Sequence, residues 1–364
     1  MKAGIVGLPN VGKSTLFNCL SNAKAQSANF PFCTIEPNIG VVNVPDNRLS
    51  KLEDLVNPER VVPATVEIVD IAGLVKGASK GEGLGNQFLG NIRETDAILH
   101  VLRCFDNDNI VHVDGSVDPI RDKETIDMEL QLKDLETTEK KLEKVKRASR
   151  TGDKEAQKEE IILQKIKNNL ESGISVRNLE FLEDDYLEFV KPLQFITDKP
   201  VMYVCNVDEN SALLGNSYVD QVRENVVNEN SEVLVLTVGT EADINELDDY
   251  EERKMFLQDI GLDEPGSAKL IRSAYKLLNL QTYFTAGVKE VRAWTINIGS
   301  TAPQSAGVIH TDFEKGFIRA EVIAYDDFIS FGSESKVKEA GKMRVEGKNY
   351  NVKDGDIMHF LFNV

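Results

Sequence analysis

Residues 7–14 combine the residue types that bind the phosphates of a nucleotide. They read Gly-Leu-Pro-Asn-Val-Gly-Lys-Ser, which fits the pattern G-x-x-x-x-G-K-S, between an apolar run at 3–6 and a helical pattern. In such a loop backbone N–H groups surround the phosphate oxygens, the lysine contacts the β- and γ-phosphates, and the serine hydroxyl binds Mg²⁺. The sequence therefore predicts nucleotide binding, with Ser14 also a metal ligand. The predicted binding residues are Asn10, Val11, Gly12, Lys13, Ser14 and Thr15.

A second motif, Asp70-Ile71-Ala72-Gly73, ends the apolar run at 65–71. P-loop hydrolases place an Asp at this position to hold Mg²⁺ through water, followed by a Gly whose N–H can sense the γ-phosphate. We therefore expect Asp70 and Gly73 to contact the nucleotide or its metal. A plain strand-terminating turn is the alternative interpretation.

Thr34 is the candidate for a second magnesium ligand. It lies in the segment Asn-Phe-Pro-Phe-Cys-Thr-Ile-Glu-Pro at 29–37, between the first helix and Asp70, where switch loops supply a threonine hydroxyl to Mg²⁺. The two prolines also suit a rigid connector in which Thr34 only caps a turn.

Leu74 follows Gly73 at the position where many GTPases carry a glutamine that orients the attacking water. A leucine cannot hydrogen-bond water, so we expect slow hydrolysis unless another group helps. Glycines punctuate the residues 75–86, which predicts a mobile loop that responds to nucleotide state.

Base recognition is expected at Asn206-Val207-Asp208-Glu209, where GTPases have Asn-Lys-x-Asp. An aspartate there accepts hydrogen bonds from guanine, but this chain has the longer Glu209, and Val207 replaces the lysine stem that would cover the purine. Asn206 can pair with the adenine edge. These residues lean away from strict GTP specificity without establishing ATP.

The elements that position these motifs alternate as in an α/β domain with a parallel sheet. Buried strands are predicted at 3–6, 65–71, 97–104, 201–206 and 233–238. The series is interrupted between about Thr125 and Thr197, so one nucleotide-binding domain, residues 1–124 and 198–279, contains an insertion.

The insertion, residues 125–197, is predicted to be a helical coiled-coil hairpin. Its apolar stripe follows a heptad-like spacing, and Ser149–Asp153 interrupts it. The stripe consists of Met128, Leu132, Leu135, Leu142 and Val145, and resumes at Leu163, Ile166 and Leu170. A solvated hairpin without a binding role is equally consistent with this pattern.

Residues 280–364 change to β-prone segments with few helices, which predicts a small β-rich domain. This third carries 10 Lys and Arg against 11 Asp and Glu, a net charge of −1, whereas the whole chain has −18. The acidic balance argues against a general electrostatic grip on nucleic acid, so any RNA contact is expected in the C-terminal third.

The composition of the 364-residue chain predicts a cytoplasmic protein without membrane contact. No run of about 18 apolar residues occurs, and the N-terminus has no signal-peptide pattern. The four cysteines form no metal-binding spacing, which suits free thiols in a reducing compartment.

Five segments together resemble the YchF subfamily of Obg-like P-loop proteins. They are the loop at 7–14, the segment 29–37, Asp-Ile-Ala-Gly-Leu at 70–74 with its glycine-rich continuation, the tetrad at 206–209, and residues 280–294. The likeness covers essentially the whole chain, because motif order, helical insertion and C-terminal segment all agree.

The resemblance implies a preference for ATP over GTP, a C-terminal TGS domain of the β-grasp type, and association with ribosomes. It assigns the Mg²⁺ ligands to Ser14 and Thr34 and the base contacts to Asn206 and Val207. The catalytic histidine of the family, which replaces the missing glutamine, corresponds to His112. His112 follows a polar stretch that suits a movable loop, although a structural role is also open.

The sequence thus predicts a slowly ATP-hydrolysing switch protein that associates with ribosomes. Two alternatives remain open at this point. One is a GTP-preferring enzyme of the Obg type, and the other is a nucleotide-gated binding factor in which turnover is incidental.

Overall fold

A computed structural model describes residues 1–22, 38–71, 84–229, 231–247 and 249–363. These residues form two compact units. The first contains Met1–Gly40 and Glu67–Leu270, and the second contains Val41–Val66 and Ile271–Val364. The division into nucleotide-binding, insertion and C-terminal domains at 124/125, 197/198 and 279/280 stays a prediction.

The described residues of the two units contain the following strands and helices, which alternate through most of the first unit. In chain order the strands are β1 (Lys2–Val6), β2 (Ile39–Asn43), β3 (Val61–Val62), β4 (Thr65–Asp70), β5 (Ala97–Arg103), β6 (Val201–Asn206), β7 (Val233–Leu236), β8 (Leu280–Ala286), β9 (Val291–Asn297), β10 (Phe317–Ile323), β11 (Arg344–Glu346) and β12 (Ile357–Phe362). The helices are α1 (Lys13–Asn22), α2 (Asn47–Val56), α3 (Leu84–Arg93), α4 (Pro119–Ser149), α5 (Lys154–Glu171), α6 (Glu183–Asp185), α7 (Ser217–Asn225), α8 (Val238–Glu246), α9 (Tyr250–Asp259), α10 (Gly266–Leu277), α11 (Ala302–Ile309), α12 (Thr311–Lys315), α13 (Tyr325–Phe331) and α14 (Glu334–Glu339).

The first sheet has the order β2-β4-β1-β5-β6-β7. Strand β1 pairs in parallel with β4 and β5, and the pairs β5–β6 and β6–β7 are also parallel. The five predicted strands are confirmed, with ends shifted by one or two residues. In open parallel sheets ligands bind at the carboxyl ends of the strands, and the loop at 7–14 follows the carboxyl end of β1.

Helices α4 and α5 form the predicted hairpin, and the residues 150–153 separate them. Leu142, Val145 and Leu163 are buried between the two helices as expected. The prediction of one apolar stripe was wrong in the first half of α4, where Met128 and Leu132 are 42% and 36% exposed.

A different face of α4 is buried in its first half, because this part of the helix also packs against β5 and α7. Ile126, Leu130 and Asp134 face inward there. The buried Asp134 carboxylate accepts hydrogen bonds from the backbone N–H groups of Ile196 and Thr197 at 3.0 and 2.7 Å. This polar contact fastens the end of the insertion to α4, and an apolar periodicity cannot reveal it.

The second unit contains a mixed sheet of order β11-β10-β12-β8-β9-β3. Strand β12 pairs in parallel with β8, while β8–β9 and β10–β12 are antiparallel. Helix α11 contributes Ala302 and Ala306 to the apolar core against one face of this sheet. A mixed sheet that packs around a helix is the β-grasp arrangement, as the family resemblance implies.

The sequence also predicts that the chain has no membrane-spanning segment and that its cysteines are free thiols. Among the helices of the described residues, none combines the length and the apolar character that a membrane span requires. Cys19, Cys104 and Cys205 are free and buried, and Cys33 lies outside the described residues.

Candidate nucleotide-binding site

The loop at 7–14 connects β1 directly to α1, and three of its residues, Gly7, Asn10 and Gly12, have positive φ. Asn10 has φ 64° and Gly12 has φ 101°. A Cβ atom on Gly12 would lie 2.6 Å from Nδ2 of Asn206, so a side chain there would be strained and would also collide with its neighbour. The loop therefore requires glycine at position 12.

Lys13 is buried, and its Nζ donates a hydrogen bond to the carbonyl oxygen of Leu8 at 2.8 Å. Burial lowers the pKa of the Lys13 ammonium, and the nearby Asp70 carboxylate opposes this shift. The lysine thus bends back over its own loop, where a bound phosphate would compete with Leu8 for the ammonium group.

Ser14, a predicted magnesium ligand, meets Asp70, which is predicted to hold the metal through water. The Ser14 hydroxyl donates to Oδ2 of Asp70 at 3.3 Å, although 56 residues separate them in the chain. Oδ1 of Asp70 is buried without a hydrogen-bond partner among the described residues. Hydroxyl and carboxylate oxygens are ligands that Mg²⁺ prefers, so the pair fits that ion.

Thr34, Gly73 and Leu74 lie outside the described residues, so their predicted roles stay predictions. Thr15 is exposed in the first turn of α1, next to Ser14. Its placement is consistent with the predicted contact to a phosphate.

Asn206 connects the phosphate-binding loop to two other segments. Its Nδ2 donates to the carbonyl oxygen of Val11 at 3.0 Å, and its Oδ1 accepts from the N–H of Val238 at 3.1 Å. All three residues are buried. The side chain therefore holds the loop against the end of β6 and the start of α8, a role that the base-recognition argument did not include.

The other members of the tetrad differ in exposure. Val207 is buried, and its N–H donates to the carbonyl oxygen of Leu236 at 2.9 Å. Glu209 is exposed at the start of a 3-10 turn, where Asp208 accepts a hydrogen bond from the N–H of Ser211. Of these side chains, the described structure leaves Glu209 accessible to a base, and base contacts by Asn206, Val207 and Glu209 stay predictions.

His112 lies in the loop between β5 and α4, and both of its ring nitrogens have partners. Its Nε2 lies 2.8 Å from Oδ2 of Asp122, and its Nδ1 accepts from the N–H of Asp114 at 3.1 Å. An Nδ1 that accepts a hydrogen bond carries no proton, so Nε2 carries the proton and donates to Asp122. The imidazole must leave one of these partners before it can bind a water molecule.

Asp122 is a functional candidate that the sequence analysis missed. It lies buried in the first turn of α4, and burial raises the pKa of its carboxyl group, while His112 and Arg121 oppose the shift. Arg121 approaches Asp122 to 3.2 Å and Asp114 to 3.7 Å, so both carboxylates already have a cation. An aspartate near a helix start is common, and the pairing with His112 depends on the loop conformation.

The loop that carries His112 also contacts the phosphate-binding loop directly. Nδ2 of Asn10 donates to the carbonyl oxygen of Val111 at 3.1 Å, across 101 residues of sequence. The sequence placed Asn10 near phosphate but gave no indication of this bond.

A parallel sheet with a G-x-x-x-x-G-K-S loop after β1 and an aspartate at the end of β4 defines a P-loop nucleoside triphosphatase. Comparisons with known families agree with this class. Residues 2–143 match the family described as "50S ribosome-binding GTPase". Residues 280–363 match the YchF GTPase C-terminal family, described as a protein of unknown function.

Similar proteins extend over the full chain. It is 60% identical over 363 residues to "Ribosome-binding ATPase YchF" of Haemophilus ducreyi and 59% identical to the protein of that name in Escherichia coli O157:H7, covering 100% of this chain and 99% of each relative. The structure of the YchF GTPase of Schizosaccharomyces pombe has 38% identity and a TM-score of 0.90, covering 99% of this chain and 97% of that one. The chain belongs to the YchF family.

Replacing Gly12 with alanine is expected to weaken nucleotide binding at least tenfold. The added Cβ would lie 2.6 Å from Asn206 at a φ of 101°, and strain of this kind costs on the order of 1–3 kcal/mol. Fluorescence titration with a labelled nucleotide measures the effect.

The matched control for this variant is Gly239→Ala in α8, where an added Cβ meets no atom within 4 Å. Its affinity should remain within about twofold of the parent, since a helix accepts alanine well. A Gly12→Ala protein that binds as tightly as the parent would contradict the geometry.

Proposed function

We propose that this chain is an ATP-hydrolysing switch protein that associates with ribosomes. The observation that carries the proposal is the Ser14–Asp70 pair beside Lys13, within a chain that is 60% identical over its length to a protein named ribosome-binding ATPase. Ribosome association would locate its action in the cytoplasm.

Each part of the site has a distinct role in this proposal. N–H groups of residues 10–15 hold the phosphates, and Lys13 leaves Leu8 to neutralise charge on the β- and γ-oxygens. Ser14 and Thr34 would ligate Mg²⁺ and Asp70 would hold it through water, and the bound metal would lower the charge of the phosphates. The N–H of Gly73 responds to the γ-phosphate.

His112 replaces the glutamine that orients water in many GTPases, because Leu74 cannot do so. In the present arrangement the Nε2–H is bound to Asp122. The loop must therefore move before the imidazole reaches the γ-phosphate, and catalytic hydrogen bonds often form only in the substrate complex. This requirement accounts for slow turnover.

We also propose that the site prefers ATP over GTP. A guanine base would meet Glu209 in place of the aspartate that GTPases use, and Val207 is buried instead of covering the purine. The names of similar proteins include both ATPase and GTPase, so a GTP-preferring enzyme is the competing function.

The partner is proposed to be the ribosome, with an RNA contact through residues 280–364. The net charge of −1 in this region suits a modest contribution to RNA binding, so protein surfaces must supply the rest of the affinity. The alternative function, a binding factor with incidental turnover, needs the same partner but no catalytic histidine.

Labelled ATP is expected to bind at least as tightly as labelled GTP in equilibrium titrations of one preparation. Lys13→Ala should weaken both, because it removes the cation next to the β- and γ-phosphates. Binding of GTP more than tenfold tighter, about 1.4 kcal/mol, would overturn the ATP assignment. Undiminished binding and turnover in Lys13→Ala would overturn the site itself.

His112→Ala is expected to lower kcat for ATP by about 10²-fold, within the range that proton-transfer and water-orienting groups contribute. The dissociation constant for ATP should stay within about threefold, because His112 does not line the phosphate loop. Phosphate-release kinetics measure the rate, and His310→Ala, at an exposed site in the second unit, is the control. Unchanged turnover in His112→Ala would favour incidental hydrolysis.

Sedimentation with ribosomes tests the switch. The fraction of protein that sediments is expected to differ at least threefold between a non-hydrolysable ATP analogue and ADP, and Lys13→Ala should abolish the difference. Ribosomes should also raise kcat. Equal sedimentation in every nucleotide state would contradict a switch, and sedimentation that changes without any rise in kcat would favour the binding factor.

A further inference from the structure

The loop from Cys104 to Asp118, here called the His112 loop, directly follows Arg103, the last residue of β5. The Arg103 side chain is only 1% exposed, and its guanidinium group donates hydrogen bonds to three carbonyl oxygens of this loop. The acceptors are Phe105 at 3.1 Å, Asn107 at 3.1 Å and Ile110 at 2.9 Å.

Burial of this cation is costly, because a charge removed from water must be compensated within the protein. Within the described residues no carboxylate forms an ion pair with Arg103. Carbonyl dipoles of the His112 loop and the ring of Phe105, 4.9 Å from the guanidinium carbon, take that role. The planar group can serve three acceptors at fixed angles, which a lysine cannot do.

Further contacts hold the start of the loop. The side-chain amide of Asn216 donates to the carbonyl oxygen of Cys104 at 2.7 Å, and the Tyr218 hydroxyl donates to the Asp106 carboxylate at 3.1 Å. The last acceptor of Arg103, Ile110, immediately precedes Val111, whose carbonyl binds Asn10 of the phosphate-binding loop. Arg103 thus sets the path of the chain up to two residues before His112.

We propose that Arg103 is a positioning residue for nucleotide hydrolysis, and this role rests on the proposed function of His112. By holding Phe105, Asn107 and Ile110, Arg103 gives the His112 loop a fixed base. Movement of the imidazole away from Asp122 is then confined to the few residues around His112, so the ring reaches the γ-phosphate in one orientation. The bond from Asn10 to Val111 lies beyond the last acceptor of Arg103, so nucleotide affinity should change little when Arg103 is replaced.

A double-mutant cycle of Arg103→Lys and His112→Ala tests the proposal. Arg103→Lys keeps the charge but has one nitrogen for three acceptors, and it is expected to lower kcat about tenfold with KM and the ATP dissociation constant within twofold. In the His112→Ala protein the same change should lower kcat less than twofold, because the loop then has no catalytic group to position.

Arg177→Lys is the matched control, since the Arg177 side chain is only 9% exposed and its guanidinium donates to the carbonyl of Thr197 and pairs with Asp127, away from the His112 loop. Its kcat should match the parent. Thermal unfolding checks that each variant folds. If Arg103→Lys does not fold, Arg103→Gln replaces it in the same double-mutant cycle. Hydrogen exchange should quicken at residues 105–112 in the Arg103 variant and not in α1.

The outcomes separate the two proposals. If His112→Ala loses turnover but Arg103→Lys lowers kcat equally with and without His112, Arg103 has a general structural role and the inference is wrong. An unchanged kcat in Arg103→Lys also overturns it. Full turnover in His112→Ala instead overturns the proposed catalytic function, and the positioning role of Arg103 fails with it.

Discussion

The hydrogen bonds of the Asn206 side chain are the constraint on which the nucleotide site depends. One buried amide joins the carbonyl of Val11 to the N–H of Val238, so the phosphate-binding loop, the end of β6 and the start of α8 share a single geometry. The close approach of this amide is also what excludes a side chain at Gly12. A buried polar group that is satisfied at both ends specifies one arrangement, because each alternative leaves a donor or acceptor unpaired.

Around this loop, three side chains with predicted roles in nucleotide binding or hydrolysis have partners within the protein. Lys13 donates to Leu8, Ser14 donates to Asp70, and the His112 ring donates to Asp122. The Lys13 and His112 hydrogen bonds are buried and the Ser14–Asp70 bond is exposed, and each such bond brings a modest net gain in free energy. In the proposed function, a triphosphate with its metal offers stronger, charge-assisted partners. The slow hydrolysis that we propose fits an arrangement in which His112, the proposed water-orienting group, is bound to Asp122.

Residues 41–66 show where tertiary contacts override chain order. The predicted nucleotide-binding domain included them, yet they form one compact unit with Ile271–Val364. Val61 and Val62 pair with the edge of β9, and Arg48 bonds to Asp354 at 2.7 Å. Two β-branched residues and one arginine have no periodicity that identifies a partner some 230 to 300 residues away. The segment precedes Asp70 and follows Thr34, so both predicted switch segments flank chain that folds with the C-terminal residues.

Local sequence patterns were enough to predict the phosphate-binding loop, the five strands of the parallel sheet, the helical hairpin and the β-rich C-terminal region. These features follow from local patterns, namely glycine positions, apolar runs and helical spacing. Tertiary structure alone decided that α4 buries Asp134 instead of Leu132, that Asn206 holds the loop at Val11, and that Asp122 pairs with His112. Each of these depends on polar groups brought together from distant positions, and the hydrogen-bond partner of a buried polar group is set by where the chain folds, not by its neighbours in sequence.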